Sequence, residues 1–293
     1  MLINDIQQLD LQTKSYAVDL YIWFKWDDPK IDPSRSFEFL NPFQLWGHIR
    51  GYAGIKPETL PDGTQYSSLH VQGQFNSNLA IDDYPFDRQE LIVMIEDKSK
   101  DESALVYEPD TDPIAVSPDI SIPGWDIGDA SLEVVSNQYP TDFGDAGAAA
   151  DTYSRVIGAL EVTRPASTYS LKLLLPMLLV VLSAALALSV HPRYVEGRIG
   201  IGITALLTMV ALQLTSDAGL PDVNNLILLD KLYILSYVFV VLTLAVVVRA
   251  SRVESVETAD DVAAALRTDR RSLVLLTAGY LVSAALIHVI NLA

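Results

Sequence analysis

The chain has 293 residues, half of them hydrophobic, no cysteine and a formal charge of −17. Nothing in so acidic a sequence offers the basic patch that nucleic acid requires, and the missing cysteines exclude disulfides and thiolate chemistry while leaving the redox compartment undecided. The charge is unevenly spread: residues 1–163 hold 10 Lys/Arg and 28 Asp/Glu, whereas residues 164–293 hold 10 and 9. An acidic domain (1–163) is therefore expected ahead of a near-neutral apolar one (164–293). Met1-Leu-Ile-Asn-Asp lacks the charged start and apolar run of a secretory signal, so an exported acidic half implies a mature form or a beginning that is not shown.

In chain order, Tyr16, Val18, Leu20, Ile22, Phe24 and Trp26 alternate with Ala17, Asp19, Tyr21, Trp23 and Lys25. That period of two predicts a strand with one face on a core. Trp26-Asp27-Asp28-Pro29 ends it, because Asp favours turns and Pro gives no ladder donor. Pro61-Asp62-Gly63 marks another turn. Leu69 to Phe75, Leu91 to Ile95, Leu105 to Tyr107, Ser131 to Val135 and Ser154 to Val162 read as further strands. Several short strands, frequent turns and no convincing helix predict a β-sandwich.

Catalytic signatures are absent: there is no G-x-S-x-G, no H-E-x-x-H and no phosphate loop, so no enzyme is expected. The four histidines, His48, His70, His191 and His288, are scattered rather than clustered. Glu96-Asp97 and Asp101-Glu102 read as solvated charge. Their alternative reading is a Ca²⁺ site with a modulatory role, since such loops offer hard oxygen ligands. No other cofactor is expected.

The second half holds four apolar segments, at about 169–190, 197–218, 226–248 and 273–293, each near the ~20 residues that a spanning helix needs. The second is not uniformly apolar. Glu196, Gly200, Thr204, Leu207, Ala211, Leu214 and Ala218 follow at helical spacing as one stripe with a carboxylate at its start. A spanning helix with a small and polar seam needs water or protein on that side. The plain alternative is a packing face, where small residues let helices approach. Arg193, Arg198, Arg249, Arg252, Arg267, Arg270 and Arg271 lie in the first-to-second and third-to-fourth connections, while 217–225 has no Lys or Arg. By the positive-inside rule the sandwich lies outside and the arginine-rich link is cytoplasmic, as expected of a multi-pass protein of the plasma (inner) membrane with an extracellular or periplasmic N-terminal domain.

These features in this order resemble a pentameric ligand-gated ion channel of the Cys-loop receptor superfamily, in its prokaryotic form. Trp26-Asp27-Asp28 is similar to the family's W-x-D turn. Tyr84-Pro85-Phe86-Asp87-Arg88-Gln89 is similar to its F-P-F-D-x-Q loop. Ser77 and Leu91 stand where animal members carry the two cysteines, which makes this a Cys-less member. Pro123-Gly124-Trp125 resembles the late-strand tryptophan motif, Arg164 the arginine at the membrane junction, and Pro176 the proline of the first membrane helix. Leu220-Pro221 resembles the linker after the pore helix, and Gly197 to Met209 is close to the pore helix of the animal anion-selective members.

The resemblance implies an immunoglobulin-like sandwich of the neurotransmitter-receptor type followed by a four-helix transmembrane bundle, in a homopentamer embedded in the lipid bilayer. It implies a pore lined by the second helix of each copy. A gating interface would include Tyr84, Pro85, Phe86, Asp87, Arg164, Leu220 and Pro221, with the Tyr84–Gln89 loop resting on Leu220-Pro221 and Asp87 paired with Arg164. Leu207 would form the closed-state constriction. Glu196 departs from the anion channels, which usually carry Pro there, and a ring of glutamates is how cation channels select, so permeant cations are expected. The acidic first half fits the same sign by concentrating cations at a channel mouth; a saline habitat would also account for it, with only eight lysines in the chain.

Other departures concern the agonist. The W-x-P-D loop is missing, and Asp97-Lys98-Ser99 stands where many members place a binding aromatic, so a cage for cationic amines lacks walls. Tyr21, Tyr139 and Phe143 are the candidate ligand-binding aromatics, or else packing caps. The stimulus is left open among a small ligand, protons and a divalent cation. The link between the third and fourth helices has no room for a large cytoplasmic domain. The other function class is a membrane-anchored sandwich sensor or binding module that does not conduct.

Overall fold

The structure, a computed structural model, describes residues 1–43, 49–51, 57–141, 152–251 and 259–291. It comprises two compact units. The first contains Met1–Leu79 and Arg88–Arg164; the second contains Ala80–Asp87 and the chain from Pro165 onward.

The first unit is built from β1 (Leu2–Asp10), β2 (Ser15–Trp26), a single helical turn α1 (Pro33–Ser36), β3 (Phe37–Phe39), β4 (Ile49–Gly51), β5 (Glu58–Thr59), β6 (Gln65–Asn76), β7 (Arg88–Asp97), β8 (Ala115–Val116), β9 (Asp126–Gln138) and β10 (Thr152–Thr163). One sheet runs β4-β6-β2-β1-β8 with β5 also on β6; the other runs β3-β7-β10-β9. β1 and β8 are parallel; the other pairs are antiparallel.

The alternation of β2 decides its inward face. Tyr16, Val18, Leu20, Ile22, Phe24 and Trp26 are all buried, as are Leu69, Val71 and Phe75 on the paired β6. Phe37, Leu91, Ile95 and Leu160 meet them from the second sheet. Each such side chain contributes ~1.5–3 kcal/mol by leaving water. The buried Tyr16 hydroxyl donates to the Ile92 carbonyl at 2.8 Å, so its polar tip is satisfied across the core.

The sequence expectation fails at Leu105–Tyr107, which forms no strand. Leu105 is buried and Val106 exposed, as alternation predicts, but the Tyr107 N–H donates at 2.9 Å to the side-chain hydroxyl of Ser154 on β10 and not to a backbone carbonyl. Pro109 and Pro113 follow closely and would break a ladder.

The second unit holds α2 (Ala166–Tyr169), a π-helical turn at Ser170–Leu174, α3 (Leu175–Leu186), α4 (Val195–Asp217), α5 (Leu228–Ser251) and α6 (Ala259–Asn291). Four stretches are long and apolar enough to cross a membrane: Ala166–Leu186, Val195–Asp217, Leu228–Ala250 and Val262–Asn291. Leu275, Val282 and Ile290 are more than 60% exposed along α6, an apolar surface suited to lipid or protein cover.

Two bounds differ from expectation. The first span starts at Ala166 and yields to turns after Leu186, whereas hydropathy alone carried it to 190. Its π turn lies just before Pro176, whose missing N–H and bulky ring disturb the preceding helical turn. The last helix begins at Ala259, not near 273, and absorbs the short run at 262–266. Charged residues 267–271 read as a connection by hydropathy, yet they continue the helix.

Candidate functional site

α4 begins at Val195 after Tyr194, with the Arg198 N–H bonded to the Tyr194 carbonyl at 3.1 Å. Glu196 falls in the first turn, where a carboxylate complements the positive helix end. All seven seam residues, Glu196, Gly200, Thr204, Leu207, Ala211, Leu214 and Ala218, are exposed in the single chain, Leu207 and Leu214 by about two thirds.

The opposite face is buried and carries Arg198, Gly202, Ala205 and Met209. Two kinds of glycine are thereby separated. A Cβ on Gly202 would sit 2.3 Å from a Leu244 methyl of α5, so this glycine permits close helix approach. A Cβ on Gly197 or Gly200 would meet nothing within 4 Å. Within one chain, packing explains Gly202 and leaves Gly200 free of neighbours.

Polar contacts hold the back of α4. The Tyr237 hydroxyl donates to Gln213 at 2.8 Å, and Ser216 and Tyr233 share a hydrogen bond at 2.9 Å. At the other end the Arg198 guanidinium lies 2.9 Å from Asp269 of α6, and its Nε donates to the Ala187 carbonyl at 2.9 Å. Asp269 was not singled out from sequence. The signal available was a carboxylate amid the arginines of a membrane-length helix, where such a group calls for a partner.

The segment Ala80–Asp87 clusters with the helices. Asp82 supplies most of its polar links. Its carboxylate accepts from the Asn225 amide, and its carbonyl accepts from the Leu228 N–H at 2.9 Å and the Asn291 amide at 3.4 Å. Phe86 meets the His288 ring edge-on at 5.3 Å. These contacts reach the start of α5 and the end of α6. Tyr84 and Asp87 are buried, Tyr84 precedes Pro85 through a cis peptide, and Leu220 bonds back to the Asp217 carbonyl at 3.0 Å. Arg164, in the first unit, lies 4.1 Å over the Trp125 ring. Asp82, Asn225 and His288 were absent from the sequence reading of this region.

Of the candidate ligand aromatics, Tyr21 and Tyr139 belong to different sheets. Tyr21 stacks on His70 at 4.4 Å on the first sheet. Tyr139 follows β9 on the second sheet, donates to Glu96 at 2.8 Å and meets Tyr153 edge-on. Burial, then the charge and hydrogen bond of Glu96, push the Tyr139 hydroxyl above its ordinary value. Phe143 lies outside the described residues.

The acidic pairs engage protein donors. Glu96 takes Arg155 at 2.7 Å; Asp97 takes the Ser36 hydroxyl and the Ser99 and Lys100 N–H groups. Asp101 accepts from Ser103, and Glu102 from the Ser136 hydroxyl. Among the described residues no group of three His, Asp or Glu gathers as a metal set.

A two-sheet sandwich followed by four membrane-length helices, with a small and polar stripe on the second, is consistent with the fold of a pentameric ligand-gated ion channel subunit. No protein-family model matches the chain. Among curated proteins, it is similar to a proton-gated ion channel of Gloeobacter violaceus, at 22% identity over 246 residues. The match covers 79% of this chain and 66% of that protein's length. The resemblance read from the sequence motifs thus recurs in a relative and in the fold. That relative is an ion channel by its description. The chain is a multi-pass membrane protein, with four helices long and apolar enough to span.

Proposed function

We propose that the chain is one subunit of a homopentameric ligand-gated channel, selective for cations, with α4 of each copy lining the pore. The observation that carries this reading is the division of α4 into two faces. Seven seam residues from Glu196 to Ala218 are exposed in the single chain, while Arg198, Gly202, Ala205 and Met209 are buried. Five copies around an axis would give the seam water, which a spanning helix with polar positions requires. Five Glu196 carboxylates then ring one mouth and favour cations. Leu207 forms the apolar constriction that excludes water when closed.

By the positive-inside rule, Arg193 and the arginines of 249–271 support a cytoplasmic mouth with the sandwich outside. The stimulus acts from outside and is a small ligand, a proton or a divalent cation. The relative is proton-gated, which favours the proton among these three. Motion reaches α4 through the 80–87 segment and Leu220-Pro221. The engagement of Asp82 with Asn225 and Leu228 supports that route.

Class averages of the purified protein test the assembly, with five-fold rings expected and any other symmetry contradicting it. The competing reading, an anchored sandwich sensor without conduction, gives no reason for an exposed carboxylate-to-leucine seam. Currents across reconstituted bilayers over a pH and Ca²⁺ series separate the two.

A further inference from the structure

Arg193, Arg249, Arg267, Arg270 and Arg271 stand exposed at the end of the bundle where α4 begins, α5 ends and α6 begins. Water and salt screen such charges. Arg198, in the first turn of α4, is different: 1% of its side chain is exposed. A guanidinium stays ionised inside a protein, and a buried charge is screened far less than an exposed one.

A single carboxylate offsets that charge. Asp269 of α6, 2% exposed, lies 2.9 Å from the Arg198 Nη2, and among the described residues no other acid pairs with this guanidinium. The Arg198 Nε donates to the Ala187 carbonyl at 2.9 Å, which anchors the group behind α4.

Arg198 follows Glu196 by two positions, ~3 Å along the helix axis and ~200° around it. The burial pattern agrees, with Glu196 exposed and Arg198 buried. The ~10–12 Å width of a helix separates the two sides. That is close to one Debye length at ~0.1 M salt, and it is filled by peptide, not by electrolyte. A guanidinium stranded there would act on ions passing Glu196.

We propose that Asp269 is a selectivity-determining residue that never meets the permeating ion. By cancelling the buried charge of Arg198, it keeps one positive charge per copy from opposing the Glu196 ring. The inference rests on the reading of α4 as the lining of a cation pore, and gives a part in selectivity to a helix that does not line it.

Reversal potentials in a NaCl gradient across reconstituted bilayers test this with four chains: unaltered, Asp269→Asn, Arg198→Gln and the double variant. Asp269→Asn should move the potential toward zero, with the cation-to-anion permeability ratio falling about threefold or more. Arg198→Gln breaks the same contact but adds no positive charge, so its potential should not move toward zero. The double variant should return to the unaltered value, and Asp269→Glu should keep it. Asp269→Ser, which leaves room for water beside the guanidinium, serves as a second neutral variant. Should neither neutral variant conduct alone, pentamers mixed with the unaltered chain should show a potential that moves with the fraction of variant chain. A merely structural contact would shift Asp269→Asn and Arg198→Gln alike, and that result overturns the proposal. So does a cation-selective unaltered channel whose potential is the same in the neutral variants or independent of their fraction, and the pore reading then stands. An unaltered chain that follows chloride or carries no current refutes the pore reading and this inference with it.

Discussion

Arg198 near the start of α4 and Asp269 on α6 stand 2.9 Å apart, with 1% and 2% of their side chains exposed. The contact is ionic, not an aligned hydrogen bond, and neither Asp269 oxygen meets another donor among the described residues. Removing one partner strands the other's charge, which costs about 3–5 kcal/mol, whereas replacing both with apolar groups is often neutral. Arg198→Met and Asp269→Leu should each lower the thermal midpoint of the purified protein markedly. The double variant should recover most of the loss. Additive losses would mean that the two charges are not coupled.

Gly202 and Gly200 differ by two positions and by everything around them. Gly202→Ala forces Leu244 aside, an overpacking that costs about 1–3 kcal/mol. Gly200→Ala meets open space and gains helix propensity, so its effect on stability should stay within ~0.5 kcal/mol. Thermal denaturation of the two variants checks this, and Leu244→Ala should restore much of the Gly202→Ala loss. Equal destabilisation of both would contradict the two-faced account of α4.

Glu196→Ala should weaken cation preference, read as a reversal potential in a NaCl gradient that moves toward zero. Leu207→Thr should ease opening, read as a raised resting current, because a hydroxyl wets the constriction. A reversal potential that follows chloride in the unaltered protein would refute cation selectivity.

On the first sheet Asp19 accepts from Gln72 at 2.6 Å and pairs with His70 at 2.8 Å. Burial alone would raise its carboxyl. The hydrogen bonds from Gln72 and His70, with the charge of His70, outweigh burial and hold it below its ordinary value of 3.8. A carboxyl lowered in the folded state stabilises it above the unfolded value and loses that contribution as pH falls through the lowered one. Unaltered protein and Asp19→Asn should therefore differ in thermal midpoint at neutral pH, with the difference shrinking below the ordinary carboxyl value and vanishing only below the lowered one. Should a current activate between pH 5 and 6, Asp19→Asn should leave its midpoint in place, since Asp19 does not titrate there.

Much of this organisation is legible in the sequence, and its limits have physical causes. The face of β2 can be read residue by residue from Tyr16 to Trp26, because alternation has one outcome in a sheet packed on one side. The α4 seam is equally plain at helical spacing. Periodicity says nothing about distance between helices, so the Arg198–Asp269 pair, 71 positions apart, could not be found that way. The start of α6 at Ala259 was hidden because Arg267, Asp269, Arg270 and Arg271 look like a solvated link by hydropathy. Leu105–Tyr107 has the pattern of a strand but lacks a ladder, and pattern cannot distinguish the two. The links of Asp82 to Asn225 and Asn291 depend on the fold and carry no local motif.

The most direct measurement is cysteine scanning of residues 196–218 with a charged, membrane-impermeant thiol reagent during channel recording, since the chain has no cysteine of its own. The reading of α4 predicts current block at 196, 200, 204, 207, 211, 214 and 218, with protection at 198, 202, 205 and 209. Modification without that helical period, or a seam never reached by the reagent in any state, would contradict it.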